Sequence, residues 1–188
     1  KFGENLSVYP DYSFRDFSAK IAGVTTGGDS YYFDFLRGVD DYSYSAKYGM
    51  IDKVNEINRY EKNAQLGSSL FYGKTWNNGN TSDVLFTASS LSQLTDNIIQ
   101  FTNRAGKSNI WQDDVVDNQI QEIGIKQSNH FSVHEKHRLD FGWGVKGYRV
   151  ELKQESLDVD VYNDIRSTLV AETFIQDRIS VLENLNVN

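Results

Sequence analysis

Residues 17–24 alternate, with Phe17, Ala19 and Ile21 on one parity and Ser18, Lys20 and Ala22 on the other. A period of two is that of a strand whose successive side chains point to opposite faces. The glycine-bearing turn Thr25-Thr26-Gly27-Gly28-Asp29 follows, and residues 30–39 resume the pattern with Tyr31, Phe33 and Phe35 opposite Asp34. A hairpin is expected. Similar reading gives strands over 64–75, 83–92, 119–133, 138–153 and 168–178, and another opening at Leu185. Short turns at 76–81, 134–137 and 179–184 alternate with long polar connections at 40–63, 93–118 and 154–167. Residues 9–15 read as one further connection, short where the rhythm calls for a long one.

The expected class is therefore all-β, an antiparallel up-and-down sheet of eight to nine strands. Short turns at one end and long loops at the other are the habit of outer-membrane barrels. A soluble sandwich has no reason to sort its connections this way. Two stretches also fit a helix. Leu91, Leu94, Ile98 and Phe101 have helical spacing with Gly106 as a stop, and residues 165–185 place Ile165, Leu169, Ile175, Ile179 and Leu182 on one helical face.

Charge follows parity. Arg138, Asp140 and Lys146 share a face with Gly142 and Gly144, while Leu139, Phe141, Trp143 and Val145 form the other. Glu122 and Lys126 sit opposite Ile123, Ile125 and Phe131. A cation at a bilayer midplane costs about 2–4 kcal/mol, so a lipid-facing parity has to be free of charge. A soluble sheet with one wet face produces the same alternation.

Composition narrows the field. At 188 residues the chain is one ordinary domain, and it has no cysteine, which excludes disulfides, thiolate metal sites and cysteine nucleophiles. Its net charge is −7 with no basic block, so sequence-independent nucleic-acid binding is set aside. No stretch approaches the roughly 18 apolar residues of a spanning helix, and no signal peptide opens the chain, which is expected to be mature or cut from something longer. Mean hydropathy is −0.53, a value that does not mean soluble, because a spanning strand hides only alternate residues from water.

Candidate chemistry is sparse. His130, His134 and His137 flank Glu135 at metal-ligand-like spacing, but across a hairpin turn that splays them, so a solvated turn is expected. Asp40-Asp41 and Asp113-Asp114 fall in expected loops, where solvated carboxylates are favoured over a carboxylate pair or a calcium contact. No nucleophile elbow, phosphate loop or dinucleotide fingerprint is present. No active site, metal or cofactor is assigned, and the chain is not read as an enzyme. The aromatics remain: 11 Tyr, 11 Phe and 3 Trp. Tyr31, Tyr32, Tyr72, Trp76, Trp143 and Tyr148 lie near strand ends, where a barrel places its interfacial girdle. Tyr42, Tyr44, Tyr48, Tyr60, Phe101 and Trp111 fall in the expected extracellular loops, as ligand contacts or as packing between loops.

Three strings carry a family resemblance. Phe14-Arg15-Asp16-Phe17-Ser18-Ala19-Lys20-Ile21, with its glycine turn and the strand ending Arg37-Gly38-Val39-Asp40-Asp41-Tyr42, resembles the barrel of TonB-dependent outer-membrane receptors. So do residues 137–145, a histidine–hydrophobic–x–Phe–Gly strand start after a tight turn, and residues 169–178 with the following Leu185-Asn186-Val187-Asn188. The resemblance implies that residues 1–188 are an internal part of a barrel of about twenty-two strands, without the family's plug domain, TonB-contacting box or closing strand. It favours strand over helix at 168–178. It also implies energy-coupled import of a nutrient such as a glycan or iron chelate across the outer membrane of a Gram-negative bacterium. The implied partners are the rest of the barrel and the plug, TonB through the plug, a surface lipoprotein in some glycan importers, and lipid or lipopolysaccharide. A complete eight-stranded barrel and a soluble carbohydrate-binding β-sandwich remain the alternatives.

Overall fold

The computed structural model describes residues 7–50, 53–103, 105–134, 136–182 and 185–187. They form β1 (Ser7–Val24), β2 (Ser30–Met50), β3 (Lys53–Thr75), β4 (Thr81–Asn103), β5 (Ser108–His134), β6 (His137–Ser156), β7 (Val159–Leu182) and β8 (Leu185–Val187). All eight belong to one antiparallel sheet whose spatial order is the chain order. Neighbours pair only with neighbours, so β1 and β8 are edges and the sheet is open. There is no second layer among the described residues, which removes the β-sandwich alternative, and no β1–β8 pairing, which removes the closed eight-stranded barrel.

The strands are much longer than the alternation implied. Residues 40–63, expected as a loop, are the distal halves of β2 and β3, paired from Asp40↔Asn63 out to Met50↔Lys53. Residues 93–103 and 108–118 are likewise the ends of β4 and β5, with a turn at 105–107 between them, and residues 154–167 are β6 and β7 around Leu157-Asp158. Residues 9–15 lie inside β1, and the helix considered at Leu91–Phe101 is β4. Residues 168–178 belong to β7, as the family resemblance implied, and residues 179–182, expected as part of a turn, continue the same strand. The tight turns at the opposite end occur as expected. Thr25 and Asp29 close the first, Trp76 and Asn80 the second, with Gly28 and Gly79 at positive φ (86° and 80°) where only glycine is unstrained. The turn expected at 179–184 ends outside the described residues.

Directly paired residues share a face, so the registers assemble each face rung by rung. One rung runs Ile21, Phe33, Leu70, Phe86, Ile125, Val145, Ala171 across seven strands, entirely apolar. One residue away, on the other face, the rung is Lys20, Asp34, Ser69, Thr87, Gly124, Lys146, Val170. The apolar face is open: Ile21 is 69 %, Ile123 69 % and Leu169 72 % exposed. Within the strands every buried described residue except Asn129 is on the charged face, among them Gly38, Gly73, Gly124, Asp140, Gly142 and Gly144. Side chains converge and shield one another on the concave side of a curved sheet, so the charged face is the concave one. Small residues there make room for larger neighbours.

Gly142 shows how tight that room is. A Cβ built on it would sit 2.2 Å from the Gln127 carbonyl oxygen and 2.8 Å from the Phe174 ring. Gly67, by contrast, has nothing within 4 Å of such a Cβ. Gly142→Leu must displace main chain and is expected to lower the unfolding free energy of the intact protein, read from urea titration in detergent, by about 1–3 kcal/mol or more. Gly67→Ala, measured alongside, is expected to stay within about 1 kcal/mol of wild type.

Candidate functional site

The distal half of the concave face gathers most of the aromatics singled out in the sequence. Tyr12 of β1 pairs directly with Tyr42 of β2, and Tyr44 and Tyr48 follow on the same parity. The Tyr42 and Tyr44 rings are 6.2 Å apart, and Tyr12 and Phe14 lie 6.1 Å apart. Tyr48 pairs with Asn55, and Asn55 with Phe101, which puts Phe101 on the same face two strands away. These residues occupy strands and not loops, so their Cα positions are fixed by a hydrogen-bonded ladder. Beside the tyrosine column stand Arg59 and Glu61, paired to each other, and Asn97 and Asp114 on the rung of Tyr44. The wall thus presents aromatic faces next to fixed donors and acceptors.

Two of the six candidates are elsewhere. Tyr60 points to the opposite face, where its hydroxyl donates to Asp41 Oδ1 at 2.9 Å. Trp111 is the extra residue of a bulge, since Ile99 pairs with Gln112 and Gln100 with Ile110; it is 71 % exposed. The girdle residues divide in the same way. Tyr31, Tyr72 and Trp143 are on the apolar face. Tyr32 and Tyr148 are on the concave face, Tyr32 stacked on Phe71 at 5.0 Å beneath the Lys20 ammonium.

Alternation also separates the acidic pairs. Asp40 faces inward, accepting from the Tyr12 hydroxyl at 3.5 Å, while Asp41 faces outward to Arg15 at 3.3 Å. Asp114 faces inward, accepting from Ser156 Oγ at 2.6 Å and from Gln112, and these bonds hold its carboxyl below the usual range. Asp113 faces the other way; burial, then the carboxylates of Asp96, Asp158 and Asp114, push it up. Neither pair is a two-carboxylate site.

His130 is an interior group near the tight-turn end, with Nδ1 2.8 Å from Asp140 Oδ1 and Nε2 3.5 Å from Asp83. Arg138 and Arg178 reach the same Asp140 carboxylate at 3.5 and 3.8 Å. His134 and His137 meet edge to face at 6.4 Å, and His137 pairs with Asp177 at 3.0 Å. Among the described residues no three His, Asp or Glu side chains are arranged to hold a metal ion; Glu135 lies outside them. The sequence reading missed Tyr12, Arg59 and the His130–Asp140 pair. Only the register reveals them, although the shared even parity of Tyr42, Tyr44 and Tyr48 was readable.

No protein-family model matches the chain, and no curated protein matches it in sequence. Solved structures do match in shape. The unliganded ferric citrate transporter FecA superposes with a TM-score of 0.57 at 10 % identity, over 95 % of this chain and 26 % of that one. The ferric yersiniabactin uptake receptor FyuA of Yersinia pestis superposes at 0.56 and 7 % identity, over 98 % and 28 %. The fold is that of a barrel segment of a TonB-dependent receptor. The chain spans about a quarter of the length of the receptors it matches. At these identities the receptor likeness concerns architecture: long antiparallel strands in chain order, apolar on one side and polar on the other.

At the tight-turn end of this receptor-like wall, Asp29 ties the first turn to the second hairpin. Its carboxylate accepts from Tyr72 Oη at 2.8 Å, Lys74 Nζ at 3.0 Å and the Thr75 amide at 3.1 Å. Lys74 first, then Tyr72 and Thr75, holds the Asp29 carboxyl below its ordinary value. A depressed folded value means that folding favours the ionised form. The contribution is complete above the unfolded carboxylate value and disappears as pH falls through the folded one. Asp29→Asn is therefore expected to unfold more readily than wild type at neutral pH, the gap closing as pH drops below about 4. Urea midpoints of both proteins at stepped pH values check this, and a gap that does not narrow refutes it.

Proposed function

We propose that the chain is wall of a TonB-dependent transporter in the outer membrane of a Gram-negative bacterium, taking part in energy-coupled uptake of a nutrient and performing no bond chemistry. One observation carries the reading. The sheet has an apolar rung across seven strands, yet Ala46 is the single buried hydrophobic among the described residues. A Leu, Ile or Phe left in water forfeits about 1.5–3 kcal/mol of burial. The apolar face therefore needs an apolar phase outside the protein, and lipid supplies it while the concave charged face looks into a watery lumen.

Strand length supports the same orientation. Crossing a bilayer takes about 9–11 tilted residues, whereas β3 and β4 have 23 each and β5 has 27. The apolar band adjoins the tight-turn end, so the remaining length projects from the opposite surface, which is then the extracellular one. There Tyr42, Tyr44, Tyr48 and Phe101 face the lumen mouth, where an entering ligand would stack on them. Trp111 lies at the same height on a bulge, and Tyr60 faces outward. FecA and FyuA are named for ferric chelates. An iron chelate or a glycan suits an aromatic wall flanked by Arg59, Asn97 and Asp114. Further strands of the same barrel would pair with β1 and β8, because an open edge cannot stand in hydrocarbon. A plug domain would fill the lumen and couple it to TonB, and a surface lipoprotein is a further partner of the glycan-importing kind.

Fractionation of native cells tests the assignment. The polypeptide carrying these peptides is expected in the detergent-resistant outer-membrane fraction, running faster unboiled than boiled; a soluble species without a heat shift sinks the proposal. The site is tested in the intact receptor with a panel of ferric citrate, other ferric chelates and oligosaccharides. Tyr42→Ala/Tyr44→Ala is expected to weaken the member that binds by about tenfold or more, and Tyr60→Phe to leave it unchanged.

A further inference from the structure

The hairpin between β5 and β6 carries two histidines that the uptake reading leaves unused. The register shifts between Ser132, which pairs with Arg138, and His134, which pairs with His137, so Val133 is an extra residue. A bulge of this kind re-aims the side chains that follow it. Here it sets His134, and not Val133, directly across the ladder from His137. Directly opposed residues have Cβ atoms about 4.5–5.5 Å apart, and these two rings meet edge to face with centres 6.4 Å apart. The third histidine, His130, is on the concave face, engaged by Asp140 at 2.8 Å.

A partner sets the tautomer of His137. Asp177 Oδ2 lies 3.0 Å from its Nδ1. An ionised carboxylate only accepts, so Nδ1 carries the proton and Nε2 keeps the lone pair of a neutral ring. Neither that Nε2 nor the His134 ring has a hydrogen bond or ion pair among the described residues. The strand cations nearby point the other way: Arg138 and Arg178 reach Asp140 on the concave side at 3.5 and 3.8 Å. Val133, His134, His137, Leu139 and Asp177 line an open hollow of about 550 Å³, which leaves room for water beside the imidazoles.

We infer that His134 and His137 form a clip for a late first-row divalent cation such as Zn²⁺ or Cu²⁺, with Asp177 positioning the His137 ring. Two imidazoles and water, not three side chains, make up the coordination. Residue type selects the class, because imidazole nitrogens suit Zn²⁺, Cu²⁺ and Ni²⁺ whereas Mg²⁺ and Ca²⁺ take oxygen ligands. Two nitrogens on one tetrahedral zinc stand about 3.3 Å apart, a separation that these rings reach by side-chain rotation. The carboxylate behind His137 fixes the ring and raises its basicity, as second-shell partners of metal-bound histidines do. The clip belongs to one hairpin and does not depend on the phase around the sheet. A bound ion ties β5 to β6 beside their turn.

Calorimetric titration of the intact protein, purified without a histidine tag, with zinc chloride tests the clip. His134→Gln/His137→Gln is expected to bind one equivalent fewer than wild type, and His130→Gln to keep that equivalent. Asp177→Ala is expected to keep it with about tenfold to a hundredfold weaker affinity. Electron paramagnetic resonance with Cu²⁺ reads the ligands independently: wild type is expected to show coupling to two imidazole nitrogens that the double variant lacks. Equal zinc uptake by wild type and the double variant overturns the clip, and loss of the equivalent in His130→Gln overturns its placement. Displacement of the zinc by equimolar Ca²⁺ or Mg²⁺ overturns the cation class. Asp177→Ala at wild-type affinity overturns the positioning role. Far-ultraviolet circular dichroism certifies that each variant is folded, and His134→Gln alone repeats the test if the double variant is not.

Discussion

A single sheet has two faces and no interior, and every other feature of this molecule answers to that. A globular domain hides its apolar side chains against a second layer; here the seven-strand rung from Ile21 to Ala171 has no such layer among the described residues. The concave face cannot serve, because Lys20, Asp34, Lys126 and Lys146 occupy it at the same height. It forms polar and aromatic contacts instead: the Lys126 ammonium lies 5.4 Å from the Phe174 ring centre, and Lys146 pairs with Glu122 at 3.2 Å. With no core of its own, the sheet depends on its surroundings for the hydrophobic contribution that ordinarily offsets chain entropy.

The same geometry explains the small residues of the inner face. Curvature brings inner side chains together, so a large residue such as Phe174 needs a glycine opposite it, and Gly142 is that glycine. Glu172 stands against Gly144 and Thr87 against Gly124 in the same manner. On the outer face the side chains diverge and most bulky residues fit without such compensation, although Gly23 lies directly against Tyr31 near the first turn.

The sequence disclosed the part of each strand where the two faces differ and hid the part where they do not. Within the band, alternation at residues 17–24, 30–39 and 138–145 located strands, faces and the turns of Gly28 and Gly79 correctly. Beyond it both faces are wet. Residues 40–63 then lose their apolar period and resemble a loop, although they contain Tyr, Val, Ile and Ser and no proline that would interrupt a ladder. Proximity in sequence misled for a related reason. Asp40 and Asp41 look like a pair of carboxylates, but a strand sends them to opposite sides. Tyr60 looks like a companion of Tyr42 and Tyr44, but the β2–β3 register changes parity and turns it outward. Such facts depend on cross-strand register, which no local pattern contains.

Rigid strands in place of loops change what the distal wall can do. A loop that closes on a ligand loses backbone freedom on binding, whereas residues held in a ladder have lost it already. Tyr42 and Tyr44 have only their side-chain torsions left to order, and Tyr12 stands directly across from Tyr42. Under the proposed function, such a wall would favour a ligand of fixed shape and would order little on binding it. Alternation then gives each strand two independent surfaces. Asp40 and Tyr42 lie on the concave face while Arg37 and Asp41, on the same strand, face away from it. A substitution on one parity therefore alters one face and leaves the side chains of the other in place.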